Sequence, residues 1–286
     1  SASEVILGSG HERYPGFSLY RPPALEIDFQ QPDAFWITAG YNRVLYFQKI
    51  NTVWQITKQL TDGLESPGGV ALDSEGNVYT DTLHGGQEIR KFQAPIPTTC
   101  PACLPYPYSA RILKSQDTAF ASPNKVSGAG LRDPGYSITI DYPPNSTNIQ
   151  KQLFVADRSR ILVWNNYDQK PAAGSSADFV LLEPDFETLS GHGGARSLDK
   201  DSLGRFWLVK DNGIFVFQGP ITKNLTEEDA NFVISRSIPL RSDSSRGIRL
   251  GNNIVGLAYD EASDALWVSD NSNFRLLRIA NPLNQA

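Results

Sequence analysis

Five stretches of this chain share one pattern, and that repeat constrains the fold more than any other feature. They read "ALEIDFQQPDAFWITAGYNRVLYF", "GGVALDSEGNVYTDTLHGGQEIRKF", "YSITIDYPPNSTNIQKQLFVADRSRILVW", "ARSLDKDSLGRFWLVKDNGIFVF" and "VGLAYDEASDALWVSDNSNFRLLRI". Each is an apolar strand ending in Asp, a turn, a second apolar strand, a short loop and a third strand. The first aspartates are Asp28, Asp73, Asp141, Asp199 and Asp260. They recur at intervals of roughly 45 to 70 residues, which suits a four-stranded propeller blade with its connections. After the first four copies comes a further β-rich stretch, "NTVWQITKQL", "SARILKSQ", "ADFVLLE" and "ANFVISRSI", which reads as a fourth strand. The fifth copy is followed only by "ANPLNQA", which is short and broken by Pro282. Residues 3 to 8, "SEVILG", are expected to complete the last blade and close the ring, removing exposed sheet edges. The reading is an all-β chain, a single β-propeller domain over residues 1–286. Five blades are expected, with six as the alternative, because the Asp73 to Asp141 interval is too short for two blades of roughly 40 residues.

Local chemistry agrees with this reading. The strands are rich in Val, Ile, Leu, Phe, Tyr and Trp, which favour a pleated, half-buried surface. The turns "DSEGN" and "DSLGR" place Gly76 and Gly204 where a tight hairpin needs positive φ. Only "TEEDANF" (226–232) suggests a turn of helix. The aspartates ending the second strands, Asp81, Asp157, Asp211 and Asp270, repeat around the ring, which predicts a blade-stabilising hydrogen bond rather than catalysis.

Charge limits the partners. The formal net charge is −5 and no Lys/Arg run exists, so no nucleic acid or anionic membrane is expected as partner. The longest apolar runs are strand length, far short of the roughly 20 residues of a membrane span. The chain contains no methionine and starts at "SASEV", which fits a mature chain whose leader has been removed. Two sequons, at Asn145 and Asn224, lie in polar, turn-rich segments, so a secreted, extracellular glycoprotein is expected.

"LWVSDNSNFRLLRI", with Asp270, Asn273 and Arg275, resembles the D-x-x-N-x-R step of an NHL repeat; "LFVADRSRILVW" keeps Asp157 and Arg160, and "YNRVLYF" keeps Asn42 and Arg43. Across its length the chain resembles the NHL-repeat and SMP-30/gluconolactonase-like β-propellers. That superfamily contains hydrolases, lyases and binding modules, so the resemblance specifies fold better than function. In its calcium-dependent hydrolases, Glu, Asp and Asn from different blades converge on a metal near the start of the innermost strand. Here the corresponding positions are Pro23, Gly68, Tyr136, Gly194 and Val255, none of them a carboxylate or amide. Glu26, Asp133 and Asn253 lie a few residues away and can substitute if the register differs. "HGG" at His84 and at His192 resembles part of an esterase oxyanion loop, but no G-x-S-x-G elbow accompanies it, and it reads as a glycine turn. His11, His84 and His192 form no zinc motif.

The second blade carries an insertion, residues 93–110, with five prolines. Such density excludes helix and central strand. It predicts either a stiff, exposed arm or a loop folded back on its own blade. As an arm it would offer Pro101, Pro105, Tyr106 and Tyr108 to a partner. Its Cys100 and Cys103 form a C-x-x-C outside the α/β setting of redox motifs and without further zinc ligands, so a local disulfide is expected. The glycine-rich stretches 8–16 and 127–135 lack the strand-loop-helix context of phosphate loops and are candidate contact surfaces. Together these features predict a secreted, non-enzymatic propeller that binds a protein or glycan partner, or assembles into homo-oligomers or filaments, through its loops and without a cofactor. The alternative is a Ca2+-dependent lactonase- or esterase-like hydrolase.

Overall fold

Strand-forming residues separated by tight turns fold each repeat into an antiparallel meander. The computed structural model describes residues 24–284 except 29, 32, 40–41, 83–87, 99–109, 115–133, 142–150, 158, 171–174, 189–193, 202, 211–212, 236–249, 252–253, 261–262 and 271–274. Blade 1 contains β1 (Leu25–Ile27), β2 (Ala34–Ala39), β3 (Arg43–Ile50) and β4 (Val53–Leu60). Blade 2 contains β5 (Val70–Leu72), β6 (Val78–Asp81), β7 (Glu88–Phe92) and β8 (Ala110–Lys114). Blade 3 contains β9 (Pro134–Asp141), β10 (Gln152–Asp157), β11 (Arg160–Asn165) and β12 (Phe179–Leu181). Blade 4 contains β13 (Ser197–Lys200), β14 (Arg205–Lys210), β15 (Gly213–Gln218) and β16 (Phe232–Ser235). Blade 5 shows β17 (Ile254–Asp260), β18 (Ala265–Asp270) and β19 (Arg275–Ala280) among the described residues. The sheets form a five-bladed β-propeller, with the expected fourth strands present in blades 1 to 4. Residues 3 to 8, expected to complete blade 5, lie outside the described residues. The helical turn anticipated at 226–232 is present as a short 3-10 helix over Glu227–Asp229, closed by a Thr226/Asp229 capping box.

The turn after the inner strand repeats its chemistry in detail. Asp73 Oδ1 accepts from the N–H groups of Glu75 (3.0 Å) and Asn77 (2.9 Å), and Oδ2 accepts from Tyr79 Oη at 2.9 Å. Asp201 does the same in blade 4, accepting from the N–H groups of Leu203 and Arg205, both at 3.0 Å, and from Trp207 Nε1 at 3.0 Å. Gly76 and Gly204 follow at φ +80° and +75°, as the turns require. This corrects the sequence register of the fourth repeat, where Asp199 was aligned with Asp73. "DKD" offers two aspartates of the same strand parity, and only the glycine three residues on distinguishes the turn-forming one. The true counterpart is Asp201.

Packing follows the register. The strand residue opposite the position two before each turn aspartate is aromatic in every blade: Trp36 opposite Glu26, Tyr79 opposite Ala71, Phe154 opposite Thr139, Trp207 opposite Asp199 and Trp267 opposite Ala258. The first four are at most 2% exposed and sit in clusters that fuse neighbouring blades. Trp36 belongs to the core of blades 1 and 2, Tyr79 to that of 2 and 3, Phe154 to that of 3 and 4, and Trp207 to that of 4 and 5. Fully burying such a side chain contributes roughly 1.5–3 kcal/mol. Trp267 differs, being 36% exposed. On the facing blade, Leu25 and Ile27 are 52% and 67% exposed, whereas their blade 2 counterparts Val70 and Leu72 are buried. Blade 1 keeps its own cluster of Phe35, Ile37, Ala39, Leu45, Phe47 and Ile56, with no blade 5 member among the described residues. Among the described residues, the boundary between the last and first blades is thus a seam rather than a fused interface.

Candidate functional site

Small residues on the inner strands leave space at the axis of the ring. A cavity of about 490 Å³ is lined by residues of all five inner strands, β1, β5, β9, β13 and β17. Four residues before the turn aspartates stand Ala24, Gly69, Ser137, Ser197 and Gly256, all small. Two residues before them stand Glu26, Ala71, Thr139, Asp199 and Ala258. Of these, Glu26, Thr139, Asp199 and Ala258 line the cavity, which therefore presents two carboxyl groups beside small and apolar side chains.

The polar lining is held by the neighbouring blade. Ser137 Oγ accepts from the Leu198 N–H (3.2 Å), and Ser197 Oγ accepts from the Leu257 N–H (3.0 Å). Asp199 Oδ2 accepts from the Tyr259 N–H at 2.7 Å, while its Oδ1 accepts from the Lys200 N–H at 2.8 Å. Glu26 accepts in the same way from the Leu72 N–H. These bonds tie inner strands of successive blades together around the lumen.

Burial and neighbouring charges shift two titratable groups of the channel wall. Loss of water, helped by the negative charge of Asp199 and opposed by the Leu72 N–H, pushes the Glu26 carboxyl up to about 8. Burial pushes the Lys200 ammonium down to about 8, against the charge of Asp201. At neutral pH the channel therefore holds Glu26 largely protonated. A calcium ion takes six to eight oxygen ligands. Among the described residues, two carboxyls that already accept backbone N–H groups and the Thr139 hydroxyl fall short of that number, and the other candidate ligands, Asp133 and Asn253, lie outside the described residues. Among the described residues no group of three His, Cys, Asp or Glu side chains converges.

The aspartates picked from the strand ends stand elsewhere. Asp81 Oδ1 accepts from the N–H groups of Gly68 (2.8 Å) and Gly69 (2.6 Å), fastening the entry of β5, and burial pushes its carboxyl up to about 6. Asp157 receives both Nε (2.9 Å) and Nη2 (2.8 Å) of Arg160, with both side chains fully buried, and Arg160 also donates to the Phe186 carbonyl. Asp270 accepts from the Gly251 N–H at 3.2 Å. Asn224 is exposed, yet its Oδ1 accepts from the Val180 N–H (3.1 Å) and its Nδ2 donates to the Pro184 carbonyl (3.3 Å). None of these four lines the channel. At the start of the insertion, Ile96 is buried in the core of blades 1 and 2, and the Ala94 N–H donates to Asn77 Oδ1 at 2.9 Å. Cys100, Pro101, Cys103, Pro105, Tyr106, Tyr108, Asn145 and Asp211 lie outside the described residues, as do His84 and His192.

Sequence reasoning named Glu26 only as a displaced ligand and read Asp199 as a turn residue. The signal that finds both is their place two residues before the turn aspartate, opposite an aromatic.

No family model matches the chain, and no curated protein matches it. Among solved structures it is similar to the extracellular domain of BT4673 from B. thetaiotaomicron, described as a hybrid two-component system. The identity is 12% and the TM-score 0.45, over 90% of this chain and 26% of that one. A second structure of that domain, described as a one-component system, gives 10% identity and a TM-score of 0.46 over 90% of this chain and 27% of the other. This chain thus spans about a quarter of the length of those structures. No described helix is long and apolar enough to cross a membrane.

Proposed function

We propose that the chain is an extracellular binding propeller of the NHL and SMP-30/gluconolactonase-like kind, and that its central channel holds a small ligand. The observation that carries this reading is the cavity of about 490 Å³ onto which all five inner strands converge. A volume of this size suits a small organic molecule, and an apolar pocket with a few placed polar groups is the usual form of such sites. The described polar groups favour holding over cleaving, since Ser137, Ser197, Glu26 and Asp199 are engaged with backbone groups. The extracellular setting rests on the sequons at Asn145 and Asn224, and the disulfide between Cys100 and Cys103 belongs to the same reading.

Ala258 is exposed on the channel wall, so Ala258→Phe fills the lumen without entering a packed core. Saturation-transfer NMR with a mixed set of small polar and amphipathic compounds should show transfer with the native chain and none with this variant. Equal transfer to both proteins removes the channel as the site. Hydrolysis of simple lactones or esters that requires added Ca2+ overturns the non-enzymatic reading in favour of the hydrolase.

A further inference from the structure

The inner strands are joined around the ring at four boundaries, and the fifth is left open. In each inner strand the residues one and three before the turn aspartate point their N–H groups away from the second strand of their own blade. Glu26 of blade 1 meets the Leu72 N–H, Ser137 of blade 3 the Leu198 N–H, and Ser197 and Asp199 of blade 4 the N–H groups of Leu257 and Tyr259. Between blades 2 and 3 the strands touch directly, since a methyl group on Gly69 would stand 2.7 Å from the Ile138 nitrogen. In blade 5 the corresponding places hold Gly256 and Ala258, which carry no acceptor. A methyl group on Gly256 would meet only Ser269 Cβ, at 3.7 Å, so β1 stands clear of it.

β1 therefore presents an open edge. It bonds β2 through Ala24 and Asp28, so the N–H and C=O groups of Leu25 and Ile27 point the other way, into the channel that both residues line. Among the described residues no group accepts from these two N–H groups. Their side chains are 52% and 67% exposed, whereas Val70, Leu72, Ile138 and Ile140 at the same places of blades 2 and 3 are buried. Ser137 shows what such an edge takes, for its hydroxyl both accepts from the Leu198 N–H (3.2 Å) and donates to the Leu198 carbonyl (3.4 Å). A peptide group carries the same two functions, and alternate peptide groups of an extended chain repeat at about 7 Å, the spacing of Leu25 and Ile27. Resting on the reading of the channel as a ligand site, we infer that the ligand is a short apolar peptide in extended form, added as a strand along the inner edge of β1. Main-chain bonds to Leu25 and Ile27 hold it, and its side chains cover theirs. A lone hydroxyl or carbonyl compound satisfies one residue of this edge, and an extended peptide satisfies both. The cavity of about 490 Å³ limits the bound part to a few residues.

The test is calorimetric titration of the full chain with the blocked tripeptide acetyl-Val-Leu-Val-amide and with its fully N-methylated counterpart, which keeps the apolar bulk but has no main-chain N–H. The native chain should bind the first at least about tenfold more tightly than the second. Ile27→Pro removes one donor of the open edge without touching the β1–β2 ladder, a place where proline is tolerated. It should weaken the tripeptide about tenfold, while Ile27→Val, which keeps the N–H, should bind within about twofold of the native chain. The N-methylated peptide keeps the test decisive if the proline variant does not fold. Equal affinity for the two peptides, or Ile27→Pro binding as tightly as the native chain, overturns strand addition. The channel reading survives that result as long as Ala258→Phe abolishes binding, and tripeptide binding that persists in Ala258→Phe overturns the channel reading itself. A native chain that gives no heat with the tripeptide overturns the peptide assignment, and is the result expected if another part of the chain covers the edge.

Discussion

Trp207 and Trp267 occupy the same register position in consecutive blades, and their surroundings differ sharply. Trp207 is fully buried, stacks on Tyr259 at 4.8 Å between ring centres and donates Nε1–H to Asp201 at 3.0 Å. Trp267 faces the seam, 36% exposed, with the Arg278 guanidinium 6.0 Å from its ring. Four boundaries join repeats adjacent in sequence, whereas the seam must join the first repeat to the last. Ring closure therefore depends on the contact with the greatest sequence separation, whose loop-closure entropy is the largest. The identical side chain at an identical position does not produce an identical interface when the partner blade lies at the other end of the chain.

That contrast can be broken by experiment. Trp207→Ala removes a large buried side chain and leaves a cavity between blades 4 and 5, so a loss of about 3–5 kcal/mol is expected. Trp267→Ala should cost less than about 1 kcal/mol, as at partly exposed positions. Urea denaturation of the two variants measures both, and similar losses would show that the seam is packed as firmly as the other boundaries. Next in size is Asp81→Ala, which strips two acceptor contacts from buried N–H groups and should destabilise by about 2–3 kcal/mol. Asp81→Asn keeps the acceptor and should recover most of that loss.

The last prediction concerns Glu26, on the strand that borders the seam. Its carboxyl is raised from 4.5 in the unfolded chain to about 8 in the fold, so between those values the native state binds more protons. Stability contributed by the protonated group is complete below about 4.5 and falls as pH rises toward 8. Glu26→Gln should lack that fall. Melting temperatures of wild type and variant from pH 5 to 8 test the sign, and parallel profiles would show that the Glu26 carboxyl is hydrated in the fold.

Much of the fold could be read from the chain because it repeats. Strand alternation, Gly76, Gly204 and the fourth strands are local features, and each recurs several times. The channel was harder to read. Its polarity is decided by a single residue per repeat, and "DKD" hid the fourth of these by offering two aspartates for one turn. The seam left no local trace at all. Leu25, Ile27 and Trp267 are ordinary strand residues in sequence, and only the relation between the two ends of the chain determines whether they are covered. Asn224 shows a related limit, since a sequon states what can be modified but not that its amide already bridges Val180 and Pro184.

The side-chain bonds from Ser137, Ser197, Asp199 and Glu26 to the next blade's backbone have a consequence for how such a ring can change. They brace the lumen from behind, through backbone N–H groups that every residue but proline possesses. The bore is consequently fixed independently of what stands at positions 258 and 256, where Ala258 and Gly256 line it without bracing it. A wall built this way can be re-lined one position at a time, so that new ligand preferences arise on an unaltered frame.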